Sequence, residues 1–234
     1  MKKSRVIIIS AVTVMIAVII VVAMKYRKNH RQIIDNNKLD NVYITQFYKF
    51  ESGDLLDEKY NMEGKYDSLS SYILKVKCTK DTEFGYQTCT EYGQVEKIFR
   101  GDGELKVGDN IVMDRSGYHL FTKENEVTAG FDAVSTGFAN FMKPGREYLV
   151  FIKEKVKTEL YDYDVYTIEG FSLVPIFCYE DFDNVIVPNK RSVSYELVKD
   201  NEVFMETEEL EKEYYDFKYR VISKYDEEYR QSHN

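Results

Sequence analysis

Residues 147–152 read Glu147-Tyr148-Leu149-Val150-Phe151-Ile152, a run of aromatic and branched side chains with nothing polar after its first position. Successive side chains of a strand point to opposite faces, so a run that is apolar on both alternations needs cover on both sides. A barrel interior on one side and a helix or loop on the other would provide it. Just upstream, Lys143-Pro144-Gly145 carries type II turn chemistry: proline sets the first central φ and glycine supplies the positive one.

Further short runs rich in β-branched and aromatic residues flank this one: Tyr72 to Cys78, Thr90 to Phe99, Asn110 to Asp114, Asp162 to Ile168, Phe171 to Phe177 and Val185 to Val187. Arg100-Gly101-Asp102-Gly103, Val107-Gly108-Asp109 and Glu169-Gly170 punctuate them. From Thr207 the pattern changes. Leu210, Tyr214, Phe217, Val221, Tyr225 and Tyr229 recur every three or four positions with Glu208, Glu209, Glu211, Asp216 and Lys218 between them, which predicts an amphipathic helix over 207–230 capped by Thr207. The expected fold is therefore mainly β, an OB-like barrel or small β-sandwich, with a C-terminal helix packed on it.

Val95-Glu96-Lys97-Ile98-Phe99-Arg100-Gly101-Asp102, then Leu105-Lys106-Val107-Gly108-Asp109-Asn110-Ile111, then Lys143-Pro144-Gly145-Arg146-Glu147-Tyr148-Leu149-Val150-Phe151 resemble the OB-like barrel of the netrin and tissue-inhibitor-of-metalloproteinase group, a pattern also carried by uncharacterised membrane-anchored bacterial surface proteins. The resemblance spans Tyr72 to Ile152 and implies a fold that binds partners on an open face or loop rim. The inhibitors' zinc-binding N-terminal cysteine and dense disulfides have no counterpart here, so that route to protease inhibition does not transfer.

A second feature decides where the protein sits. The nineteen residues from Val6 to Met24 contain no charge, glycine or proline, and as a helix they would span roughly 28 Å, close to the ~30 Å hydrocarbon core of a bilayer. Residues 1–5 then form a short basic tail, 6–24 a transmembrane signal-anchor, 25–41 a polar stalk and 42–234 an extracytoplasmic domain. A cleaved signal peptide is the alternative, disfavoured by the length of the run and by Lys25, Arg27 and Lys28 directly after it. The flanking charges are nearly balanced, so orientation rests on the short tail staying inside.

All seven basic residues of 1–31 stand without an acid, which leaves 25 Lys+Arg against 40 Asp+Glu beyond it, a net charge of −15. So acidic a domain argues against a nucleic-acid partner. The expected partners are the bilayer, through 6–24, and an extracytoplasmic protein, peptide or glycan.

Signals for chemistry are sparse. Cys78 and Cys89 flank a hairpin centred near Phe84-Gly85 and are the one candidate disulfide if the domain lies in an oxidising space, whereas Cys178 in its apolar context reads as a buried hydrophobe. His119 is the one histidine well inside the domain, with Ser135 or Cys178 as conceivable companions, yet no spacing joins them. Asp162, Asp164, Glu180, Asp181 and Asp183 make the densest acidic set, a rim or a hard-cation site, and no standard metal spacing exists. Tyr161, Tyr163 and Tyr166 interleave with Asp162 and Asp164 as an aromatic-acidic face suited to sugar or peptide. Arg100-Gly101-Asp102 is an adhesion tripeptide as well as turn punctuation. No catalytic residue, metal or cofactor is assigned, and the expected function is a membrane-anchored, non-catalytic binding module; the alternative is a surface hydrolase using acids of 162–183 on cell-wall or peptide substrates.

Overall fold

The computed structural model describes residues 13–23, 43–45, 53, 62–84, 88–116, 118–123, 126–132, 138–157, 163–168, 173–187 and 192–233. Within them β2 (Tyr72–Phe84), β3 (Thr88–Arg100) and β4 (Asn110–Ser116) follow one another as an antiparallel meander. Strand β7 (Glu147–Ile152) adds to the far side of β2, and β10 (Ile176–Cys178) adds to β7. At the other end β9 (Val165–Thr167) runs parallel to β4, and β8 (Glu154–Val156) pairs with β9. The order is β10-β7-β2-β3-β4-β9-β8, seven strands.

This order is open, ending on β10 and β8, so the ladders do not run around a closed barrel as expected. The sheet curls nonetheless. One residue, Lys153, separates β7 from β8; its carbonyl accepts from the Ser71 N–H at 3.3 Å while its own N–H donates to the Thr167 carbonyl at 2.9 Å. The β7–β8 chain thus leans on β2 at one end and β9 at the other.

A smaller sheet has the order β11-β1-β6-β5, built from β1 (Tyr43–Thr45), β5 (Tyr118–Lys123), β6 (Glu126–Asp132) and β11 (Ser192–Ser194). None of these four strands is flagged by sequence pattern. Conversely, Val185 to Val187 is not a strand; the Val185 N–H and carbonyl are instead engaged by the Asn201 side chain, which withdraws them from a ladder.

Strand β7 occupies its predicted span and is covered on both faces. Tyr148, Val150 and Ile152 join Leu74, Val76, Val95 and Met113 in one core. Leu149 and Phe151 join a second core with Ile73, Phe177, Tyr66 of α2 (Met62–Leu69) and the helix α4 (Glu208–Tyr225). Phe151 meets Phe177 edge-on at 6.2 Å and Tyr66 at 5.6 Å. The turn before β7 has the expected form, Gly145 at φ 87 with the Arg146 N–H returning to the Lys143 carbonyl at 3.2 Å.

Helix α4 starts where predicted, the Thr207 hydroxyl accepting from the Leu210 N–H at 3.2 Å, and buries Leu210, Tyr214, Phe217 and Val221. It ends early. Asp226 is extended (φ −112, ψ 99) and separates α4 from α5 (Glu227–Ser232). Its carboxylate is held by Lys97 of β3 and by the Tyr179 hydroxyl, both at 3.0 Å, and its N–H caps the Ile222 carbonyl. Two further helices lie among the described residues: α1 at residues 13–23 and α3 (Tyr195–Val198). Among the described residues no helix is long and apolar enough to cross a membrane; α1 lies inside the Val6–Met24 run, and the rest of that run, with the stalk, is outside the described residues.

Burial alone would raise the Asp226 carboxyl pKa, but the hydrogen bonds from Lys97 and Tyr179 and the charges of Lys97 and Lys75 outweigh it and hold it below the ordinary carboxylate value. A group depressed in the folded state stabilises above its unfolded pKa, ~3.9 for Asp, and that contribution is lost as pH falls through the folded value. Asp226→Asn is expected to lower the thermal midpoint at pH 7 and to flatten its fall on acidification below about pH 5. Thermal unfolding across that range checks this; parallel curves for the two proteins would contradict it.

Candidate functional site

The connection between β3 and β4 is held rigidly by its own hydrogen bonds. Asp102 Oδ1 accepts from the Glu104 N–H at 2.9 Å and Asp109 Oδ2 from the Lys106 N–H at 2.8 Å. Gly108, at φ 94, donates its N–H to the Val95 carbonyl, which returns the Val95 N–H to Asp109. This pre-set loop forms one wall of a groove of roughly 270 Å³, through Glu104, Leu105 and Asp109. Asn110 to Val112 of β4 line it further, and Tyr163, Asp164 and Tyr166 form the opposite side.

Lys155 of β8 lies between the two sides. Its ammonium sits 2.9 Å from Asp164 and 3.1 Å from Glu104, and those two hydrogen bonds raise its pKa well above the ordinary lysine value. Beneath it Tyr166 packs edge-on against Tyr72 at 5.4 Å, and the Tyr72 hydroxyl donates to Asp102 at 2.5 Å. Burial first and the Asp102 carboxylate second push the Tyr72 phenol up to about 12. Tyr163 remains 46% exposed at the rim.

Of the aromatic-acidic face read from the sequence, Tyr163, Tyr166 and Asp164 meet in this groove, while Tyr161 and Asp162 lie outside the described residues. Lys155 and Glu104 carry no signal of their own in the sequence, and Asp109 carries only that of a turn. Glu104 and Asp109 come from the β3–β4 connection and Lys155 from β8, Glu104 standing 51 positions from Lys155.

Of the five-acid set, Asp162 lies outside the described residues and the other four acids do not assemble. Asp164 pairs with Lys155 beside β9, whereas Glu180 to Asp183 follow β10 at the other end of the sheet. There Glu180 pairs with Arg146 at 2.6 Å and Asp181 with Lys218 at 3.0 Å. Among the described residues no group of three or more His, Cys, Asp or Glu is arranged around a metal position. Arg100-Gly101-Asp102 is not a free tip either: Arg100 is tied to Asp67 and to the Ser70 carbonyl, and Asp102 to Tyr72. His119 stands in β5 opposite Gly130, in the smaller sheet, and Ser135 lies outside the described residues.

The three cysteines are buried free thiols. Cys78 stands opposite Gly93 and Cys89 opposite Phe84, so the expected partners are four rungs apart, about 13 Å at ~3.3 Å per residue, well beyond the ~7 Å Cα limit for a bridge. Burial pushes the Cys78 thiol up to about 12 and Cys178 to about 11, and raises Cys89 further. Because the thiolate is the reactive form, native protein is expected to resist a thiol-specific disulfide reagent at pH 8 and to release three equivalents once denatured without reductant. One equivalent after denaturation would instead reveal a Cys78–Cys89 bridge.

No family model and no curated protein matches the chain, so a functional reading has to stand on this groove and on the apolar run at 6–24.

Proposed function

We propose that the chain is a membrane-anchored, extracytoplasmic and non-catalytic binding module, held in the bilayer by residues 6–24 and receiving its ligand in the groove between the β3–β4 connection and β9. The observation that carries the binding half is the commitment of the groove's charges. Lys155 joins Glu104 and Asp164 in one ion-paired cluster, which fixes three polar side chains in place on the groove's lining. A pre-set wall of this kind also reduces the ordering cost of binding.

The anchoring half is supported by α1. All of residues 13–23 are exposed, with Val14, Ile16 and Ile19 each more than half so, and so continuous an apolar surface calls for a nonpolar partner. We further infer that the curled sheet is an opened relative of the OB-like arrangement that the resemblance implies. The β2–β3–β4 meander and the β7–β8 bend around Lys153 support that reading.

Protease added to intact cells is expected to digest the acidic domain from outside and leave the 6–24 segment in the membrane fraction, with Met1 detected by mass spectrometry. A domain protected until the membrane is broken, or a mature chain starting after Met24, would contradict the proposal.

A further inference from the structure

The lining of the groove narrows the class of ligand, and the narrowing rests on the reading of this groove as the binding site. Its volume, roughly 270 Å³, falls just under the ~300–1,000 Å³ of pockets for drug-sized ligands, which suits a single ring-sized unit. A simple cation is disfavoured, because the Lys155 ammonium already stands among the lining carboxylates, against Glu104 and Asp164. An extended peptide added as a strand along β4 is disfavoured too, because β4 is already paired with β3 on one side and, at Val112 to Asp114, with β9 on the other.

What remains is a mixed surface. Tyr163 offers an exposed aromatic ring, Leu105 a small apolar contact, Asp109 and Asp164 acceptors, and Asn110 and Lys155 donors, all on the same groove. A pyranose unit matches it: one flat face of C–H bonds to lie on an aromatic ring and a rim of hydroxyls that both donate and accept. We infer that the groove is a carbohydrate subsite that holds one sugar ring of a neutral glycan, with Tyr163 as its stacking platform and Asn110, Lys155 and Asp109 reading its hydroxyls.

The full chain in lipid nanodiscs is titrated with chitotriose, cellotriose and trilysine, followed by saturation-transfer NMR and calorimetry. At least one trisaccharide is expected to bind and to receive magnetisation on its ring C–H protons. Tyr163→Ala and Asn110→Ala, both at exposed positions, are expected to weaken it, the first by roughly tenfold, about 1.4 kcal/mol, with binding largely restored in Tyr163→Phe. Failure of both trisaccharides to bind, or binding that ignores Tyr163→Ala, overturns the inference. Trilysine binding that depends on Tyr163 would overturn the sugar assignment while leaving the groove as a binding site; no Tyr163-dependent binding by any of the three would fell both.

Discussion

Burial of β7 on both faces is the constraint from which the remaining architecture follows. Each large apolar side chain of Tyr148 to Ile152 gains ~1.5–3 kcal/mol by leaving water, and a strand can collect that gain on both alternations only if two layers meet on it. On one side the sheet supplies the layer by curling, with Gly93 permitting the closest approach: a Cβ there would stand 3.1 Å from Val76 Cβ and 3.3 Å from Met113 Cε. On the other side α2 and α4 supply it through Tyr66, Tyr214, Phe217 and Val221. The C-terminal helix is therefore part of the domain's core.

Polar side chains fix the register of these layers. Lys218, 1% exposed, reaches Glu202 at 2.7 Å, the Glu180 carbonyl at 2.8 Å and Asp181 at 3.0 Å, while Glu202 also accepts from the Tyr214 hydroxyl and the Cys178 N–H. One buried cation thus joins α4 to the segment after β10 and to the segment after α3, and buried charges are tolerated only when paired in this way. In the sheet interior Glu91 accepts from the Met142 N–H at 2.9 Å while Arg115 donates to the carbonyls of Ala139 and Asn140. Asn140 in turn donates to the carbonyls of Lys199 and Asn201, so the polar ties run from β3 and β4 out to the segment after α3.

What was legible in the sequence was local. Turn chemistry at Lys143-Pro144-Gly145, the cap at Thr207 and the two-faced pattern of 147–152 depend on neighbours within a few positions, and each takes its expected form. Features set by distant partners were not legible. The break at Asp226 is imposed by Lys97, 129 positions away. Lys218 reads as a solvent-facing position because of its type, yet Glu202 draws it inside. Strands β5 and β6 lack a Gly or Pro between them, so nothing marked a hairpin there. The cysteine pairing failed for a related reason: the hairpin was identified, but the register that separates Cys78 from Cys89 includes irregularities between Cys78 and Phe84 that composition does not encode. Of the groove, the sequence exposed the Tyr163-Asp164-Tyr166 side and concealed the lysine that neutralises it.

The structure thus separates its tasks. One face of the sheet carries the helices, the curl stores the apolar interior, and the groove at its β4–β9 end is where we propose a ligand binds. Everything depends on β7 remaining between its two cores, and native-state hydrogen exchange on the full chain reads this directly. The account predicts that the amides of Leu149, Val150 and Phe151 exchange only through global unfolding, with free energies equal to the full stability of the domain. If those amides open at lower cost than the amides of α4, the strand is not the element that the fold is built around.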